Sequence, residues 1–122
     1  MAEQYEGMGY TRVHADMDGY PTPPRLERSS HADRCPDVYC FDLHSRPIIC
    51  EVETADTIAD PHTLSQWLFF DAYAKQRQSR LHIAVPEGCY DLVEDRLIEL
   101  GIEGAVVFTL FLAREHSSSS AA

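Results

Sequence analysis

Two short segments carry acid groups among apolar neighbours: Pro36-Asp37-Val38-Tyr39 and Ile48-Ile49-Cys50-Glu51-Val52-Glu53. Each reads as a β-strand. A carboxylate inside an apolar strand is costly to bury unless a partner compensates it. If Asp37, Glu51 and Glu53 converge on one spot they need a cation, and the usual one for oxygen ligands is a hard divalent metal. Such an ion polarises a phosphodiester and activates water, so the residue types point towards phosphodiester chemistry.

Convergence requires a hairpin. Asp37 to Leu43 and Pro47 to Thr54 read as its strands, with His44-Ser45-Arg46 as the turn. Leu43 then pairs with Pro47, Cys40 with Cys50, Tyr39 with Glu51, and Asp37 with Glu53. Side chains alternate along a strand, so the three acids share one face. A slip of one residue would separate them.

The elements around the hairpin follow from local signals. Met1 to Met8 reads as a short helix stopped by Gly9, and Thr11 to Met17 as a strand before the Asp18-Gly19 turn. Tyr20 to Cys35 is irregular, because Pro21, Pro23 and Pro24 forbid helix. Asp60-Pro61 opens a helix, with Asp60 as cap and Pro61 where its missing N–H costs nothing. That helix is expected from Pro61 to Gln78. Leu81 to Val85 reads as a buried strand, Gly88 to Leu100 as a second helix closed by Gly101, and Ala105 to Phe111 as a last strand. Residues 1–113 form one α/β domain, and the serine-containing stretch 114–122 reads as a disordered tail. Three successive strands imply an antiparallel meander, and the strand–helix–strand units that follow imply parallel crossovers. The expected product is a mixed sheet of about five strands with helices on both faces.

This order, with acids on its second and third strands, resembles the PD-(D/E)XK, or restriction-endonuclease-like, nuclease superfamily. Pro36-Asp37 looks like the PD element. Glu51-Val52-Glu53 looks like the (D/E)XK element with glutamate in place of its lysine. Gln66, followed by Phe70 and Tyr73, resembles the glutamine–aromatic motif of RecB-like members. Glu3 or Glu6 could match the acid that often completes the site from the first helix. The resemblance implies an (α)βββαβαβ fold and an Mg²⁺ or Mn²⁺ ion held by Asp37, Glu51 and the backbone carbonyl of Val52. Glu53 would be a further ligand or a water-orienting group, and Gln66 a support. It also implies a homodimer, since a domain this small needs a partner to grip a duplex.

Glu53 cannot supply the positive charge that the lysine brings. Lys75, the only lysine, falls on the far side of the helix from Gln66. Arg77 returns to the same face but about 16 Å further along at 1.5 Å per residue, where it suits a more distant phosphate. Arg25, Arg28, His31 and Arg34 give the irregular stretch local positive character. The three arginines read either as a phosphate-touching arm or as part of a solvated loop. His62, at the helix start, reads as a base, a polar contact or a plain surface residue. The simpler readings of the acids are that Asp37 caps a turn after Pro36 and that Glu51 and Glu53 face solvent on an edge strand.

Bulk composition bears on the partner. The 122 residues carry a net charge of −10, which opposes non-specific affinity for nucleic acid because that affinity rests on Lys and Arg. A catalytically inactive domain of the same fold, acting as a protein interaction or regulatory module, is therefore the rival expectation. The four cysteines lack zinc-site spacing. Cys40 and Cys50 read as small buried hydrophobes, with a cross-hairpin disulfide as the alternative. No apolar run is long enough to span a bilayer and the first residues are polar, so a cytoplasmic protein is expected.

Overall fold

The computed structural model describes residues 1–26 and 35–110. Arg28, His31, Arg34 and the stretch 114–122 lie outside the described residues. The elements are α1 (Ala2–Gly7), β1 (Thr11–Ala15), β2 (Val38–Phe41), β3 (Pro47–Val52), α2 (Pro61–Lys75), β4 (Leu81–Pro86), α3 (Tyr90–Leu100) and β5 (Val106–Leu110). This is the expected order. The strands form one open sheet in the order β1-β2-β3-β4-β5. β1, β2 and β3 pair antiparallel, and β3, β4 and β5 pair parallel.

The two faces of the sheet are filled differently. Trp67, Phe70 and Ala74 repeat at helical spacing along α2, and with Val93 and Leu97 of α3 they pack on Ile49, Leu81, Ile83 and Val85. Two right-handed crossovers running in one direction across a sheet place both helices on the same side. The opposite face carries Val38, Cys40, Ile48, Cys50 and Ala84, and α1 covers it with Ala2 and Tyr5. Burying one large apolar side chain contributes about 1.5–3 kcal/mol, so the α2 stripe is a principal anchor of the fold.

Local signals are realised at both helix ends. Asp60 caps α2 through its side chain, accepting from the His62 N–H at 2.9 Å. Gly101 closes α3 at φ +74°, a left-handed conformation that costs glycine little. α2 ends at Lys75 rather than Gln78; Gln78 stands at φ +57°, where the helix cannot continue. α3 starts at Tyr90, with Cys89 at its cap.

The hairpin register differs from the expected one. Val38 stands opposite Cys50, Tyr39 opposite Ile49, Cys40 opposite Ile48 and Phe41 opposite Pro47. The loop therefore spans residues 42–46. Asp42 is the cause. Its carboxylate accepts from the His44 and Arg46 N–H groups and from Arg46 Nε, so it closes the loop two residues earlier than a three-residue turn would. Cys40 and Cys50 are not paired across the hairpin; both are buried free thiols. Among the described residues, no helix is long and apolar enough to cross a membrane.

Candidate functional site

A register shift of two leaves every side chain on its expected face, because the strand repeat is two. It changes the partners. In the observed register Asp37 lies across from Glu51, where the sequence pairing put Glu53. The two acids are tied through the backbone. The Asp37 N–H donates to Glu51 Oε2 at 3.0 Å, and the Val52 N–H donates to Asp37 Oδ2 at 2.7 Å.

The row extends onto β1. Ala15 pairs with Val38, so Asp16 falls across from Asp37, and the Asp16 N–H donates to the Asp37 carbonyl at 3.0 Å. Asp16, Asp37 and Val52 line one cleft with the first residues of α1, with a volume of about 330 Å³. The cleft lies at the carboxyl end of β3, the end at which open α/β sheets generally bind ligands. Asp16 escaped the sequence reading. The signal was its position at the end of the first strand, which an antiparallel register carries to Asp37.

Burial and like charge act together on these groups. Glu51 is 4% exposed; burial, reinforced by the Asp37 charge, pushes its carboxyl up to about 9. Burial also raises Asp37, against the lowering effect of the Val52 N–H, with Asp16 adding to the rise. Glu51 is therefore held as a neutral acid near pH 7 unless a positive charge arrives.

Glu53 points into the core rather than into the cleft. Its Oε1 accepts from the Thr57 hydroxyl at 2.7 Å and its Oε2 from the Trp67 indole N–H at 3.1 Å. Burial raises its pKa, and those two donors pull it back. Glu53 thus joins β3 to α2. Trp67, a buried residue of the α2 stripe, is also a polar partner of Glu53; a buried indole N–H usually finds such a partner.

The remaining candidates are dispersed. Gln66 is half-buried on α2, immediately before Trp67. Arg77 folds back on its own helix, with its guanidinium carbon 3.5 Å from the Tyr73 ring centroid and Nη1 donating to the Tyr73 carbonyl. α2 starts beside the carboxyl end of β3 and runs back to the start of β4, so Arg77 lies at the end of the sheet away from Asp37 and Glu51. Arg12, over the Phe41 ring at 3.8 Å, lies at that far end too. Arg25 is exposed. Lys75 pairs with Asp71 at 3.1 Å. His62 is exposed, Glu6 accepts from the Tyr20 hydroxyl, and Glu3 is exposed on the same helix.

Among the described residues, no group of three His, Cys, Asp or Glu side chains is placed to hold a metal. A magnesium ion, however, typically takes one or two carboxylates and keeps several waters. Asp37 and Glu51 are two hard oxygen donors of that kind. The backbone offers a third. Continuing the register, Val52 faces Pro36, which has no N–H to donate to the Val52 carbonyl. The donor chemistry at Asp37, Glu51 and Val52 thus fits a small hard cation. Comparison with family models, curated proteins and solved structures finds no match to this chain.

Proposed function

We propose that the protein is a nuclease-like, divalent-cation-dependent protein acting on phosphodiesters, with Asp37, Glu51 and the Val52 carbonyl as the cation site. The observation that carries the reading is the Asp37–Glu51 pair. Two carboxyl groups on adjacent strands are held in place by backbone N–H donors, and one of them is buried and protonated for want of a counter-charge. Asp37 lines the cleft and Glu51 is buried next to it; perturbed carboxyls at a cleft are functional-site candidates.

A bound Mg²⁺ or Mn²⁺ ion supplies charge for a phosphate oxygen and an acidified water. The chain's own groups do the rest. The Val52 N–H orients Asp37, and the Asp37 N–H orients Glu51, so neither carboxylate has to be reorganised on binding. To hold the ion, Glu51 would lose its proton to bulk water. Glu53, committed to Trp67 and Thr57, supports the strand end and takes no part in moving a proton.

A second reading is a catalytically inactive domain of the same type that serves as an interaction module. It draws support from the placement of Arg12 and Arg77, among the described residues, at the far end of the sheet, and from the net charge of −10, which opposes a grip on nucleic acid.

Calorimetric titration of Mg²⁺ and Mn²⁺ into the wild type, Asp37→Asn and Glu51→Gln tests the cation site. Millimolar or tighter binding lost in both variants is the expected result; no binding in the wild type sinks the reading. Incubation with single-stranded, duplex and branched DNA and with RNA then separates the two readings: cleavage dependent on Asp37 supports the nuclease, and binding of cation without cleavage of any of them supports the module.

A further inference from the structure

A second cavity, of about 390 Å³, opens at the other end of β3, on the face that α1 covers only in part. That volume falls in the range that encloses a small organic ligand. Its polar lining comes from three separate places: Arg46 of the hairpin loop, Gln78 and Arg80 of the α2–β4 connection, and His82 of β4. Tyr10 and Phe108 supply aromatic walls. Two arginines face one aspartate here, Asp42, so the cavity is locally positive in a chain that is strongly acidic overall.

His82 is the informative residue. It is 8% exposed, and its Nδ1 lies 2.6 Å from the Tyr5 hydroxyl. Burial drives the Tyr5 phenol far above its ordinary range, so the hydroxyl keeps its proton, and the bond has two forms set by the ring tautomer, one of them with Tyr5 donating to Nδ1. Burial, with Arg80 adding to it, pushes the imidazole down to about 4, so the ring is neutral at pH 7. A neutral ring that accepts at Nδ1 carries its hydrogen on Nε2. Among the described residues Nε2–H meets no acceptor, and it is not a sealed buried atom. In the form with Tyr5 as donor, the ring presents Nε2–H in the wall of a cavity that also holds two guanidinium groups.

We propose that this cavity binds a small organic anion, a carboxylate or phosphate monoester on an apolar or aromatic body, with the anion on Arg80 and His82 Nε2–H and the body between Tyr10 and Phe108. The site is independent of the acid pair at the other end of β3, and it stands or falls separately from the cation reading. Arg46 is already paired to Asp42 at 3.0 Å, which makes Arg80 the principal charge.

The test is a titration with phenyl phosphate and with benzoate, followed by NMR of the histidine ring nitrogens and by calorimetry. The expected result is saturable binding of at least one of them, a shift of the His82 Nε2 signal, and a loss of about tenfold in affinity in Arg80→Gln. Arg80 is exposed, so that variant should fold. The stronger ligand identifies the anion as phosphate or carboxylate. The proposal is overturned if neither ligand binds, if neutral benzyl alcohol binds as well as the anions, or if Arg80→Gln binds like the wild type with no change at His82.

Discussion

The indole N–H of Trp67 lies 3.1 Å from Glu53 Oε2, and this bond joins the end of β3 to the middle of α2. Both residues are buried. A buried carboxylate tolerates its position only while its donors hold. Trp67→Phe keeps the ring in the core and removes the donor. The expected cost is about 1–3 kcal/mol, the usual penalty for orphaning one buried polar partner. Chemical denaturation of Trp67→Phe beside the double variant Trp67→Phe/Glu53→Gln measures it; the double variant should recover part of the loss. Equal stability of wild type and Trp67→Phe would show that the bond contributes nothing.

Glu51 makes stability depend on pH. Its folded pKa, pushed up to about 9, lies above the ordinary 4.5, so the folded state holds a proton that the unfolded state releases. Its favourable contribution is complete below the ordinary value and is lost as pH rises towards about 9. Without divalent cation, the protein should therefore lose stability between about pH 5 and pH 9, and Glu51→Gln should flatten that slope. Thermal unfolding across this range in a chelating buffer is the check. A slope unchanged in Glu51→Gln would assign the dependence to other groups. Added Mg²⁺ should restore wild-type stability on the alkaline side and leave the variant unaffected.

Pro36, opposite Val52 when the register is continued, has no N–H to donate to the Val52 carbonyl. Pro36→Ala supplies an N–H at that position. It should weaken Mg²⁺ affinity about three- to tenfold, as carbonyl and ion then compete. The fold should lose about 0.4–1 kcal/mol from the freer unfolded chain. Calorimetry and urea unfolding on one preparation separate the two effects. Unaltered affinity would remove Val52 from the ligand set.

Asp42 governs the hairpin. Asp42→Ala removes two backbone bonds and the Arg46 pair together. The expected loss is about 1–2 kcal/mol, since each net bond contributes about 0.5–1.5 kcal/mol and the loop is partly solvated. Asp42→Asn should recover part of it, because the amide oxygen can still accept from both N–H groups. Amide hydrogen exchange at Arg46 is the local readout: protection kept in Asp42→Ala would show that the loop closes without the carboxylate.

Much of the fold is legible in the residues themselves, because its signals are local. Asp60-Pro61 marks the start of α2, Gly101 the end of α3, and the alternation around Glu51 the strand that carries it. The even slip of the hairpin explains how a wrong register still gave the right face for the acids: parity depends on the two-residue strand repeat, whereas partner identity depends on the loop. The rest required the assembled structure. Asp42 closing its loop set Asp37 against Glu51, and β1 docking beside β2 brought Asp16 to the same cleft. α2 packing on the sheet turned Glu53 from a site residue into a partner of Trp67. It also carried Arg77 to the far end. The loop contact of Asp42 is local, but the register it sets and the other placements bring together residues on different elements, decided by packing and by the need of buried polar groups for partners, and none of these is written in the spacing of one strand or helix.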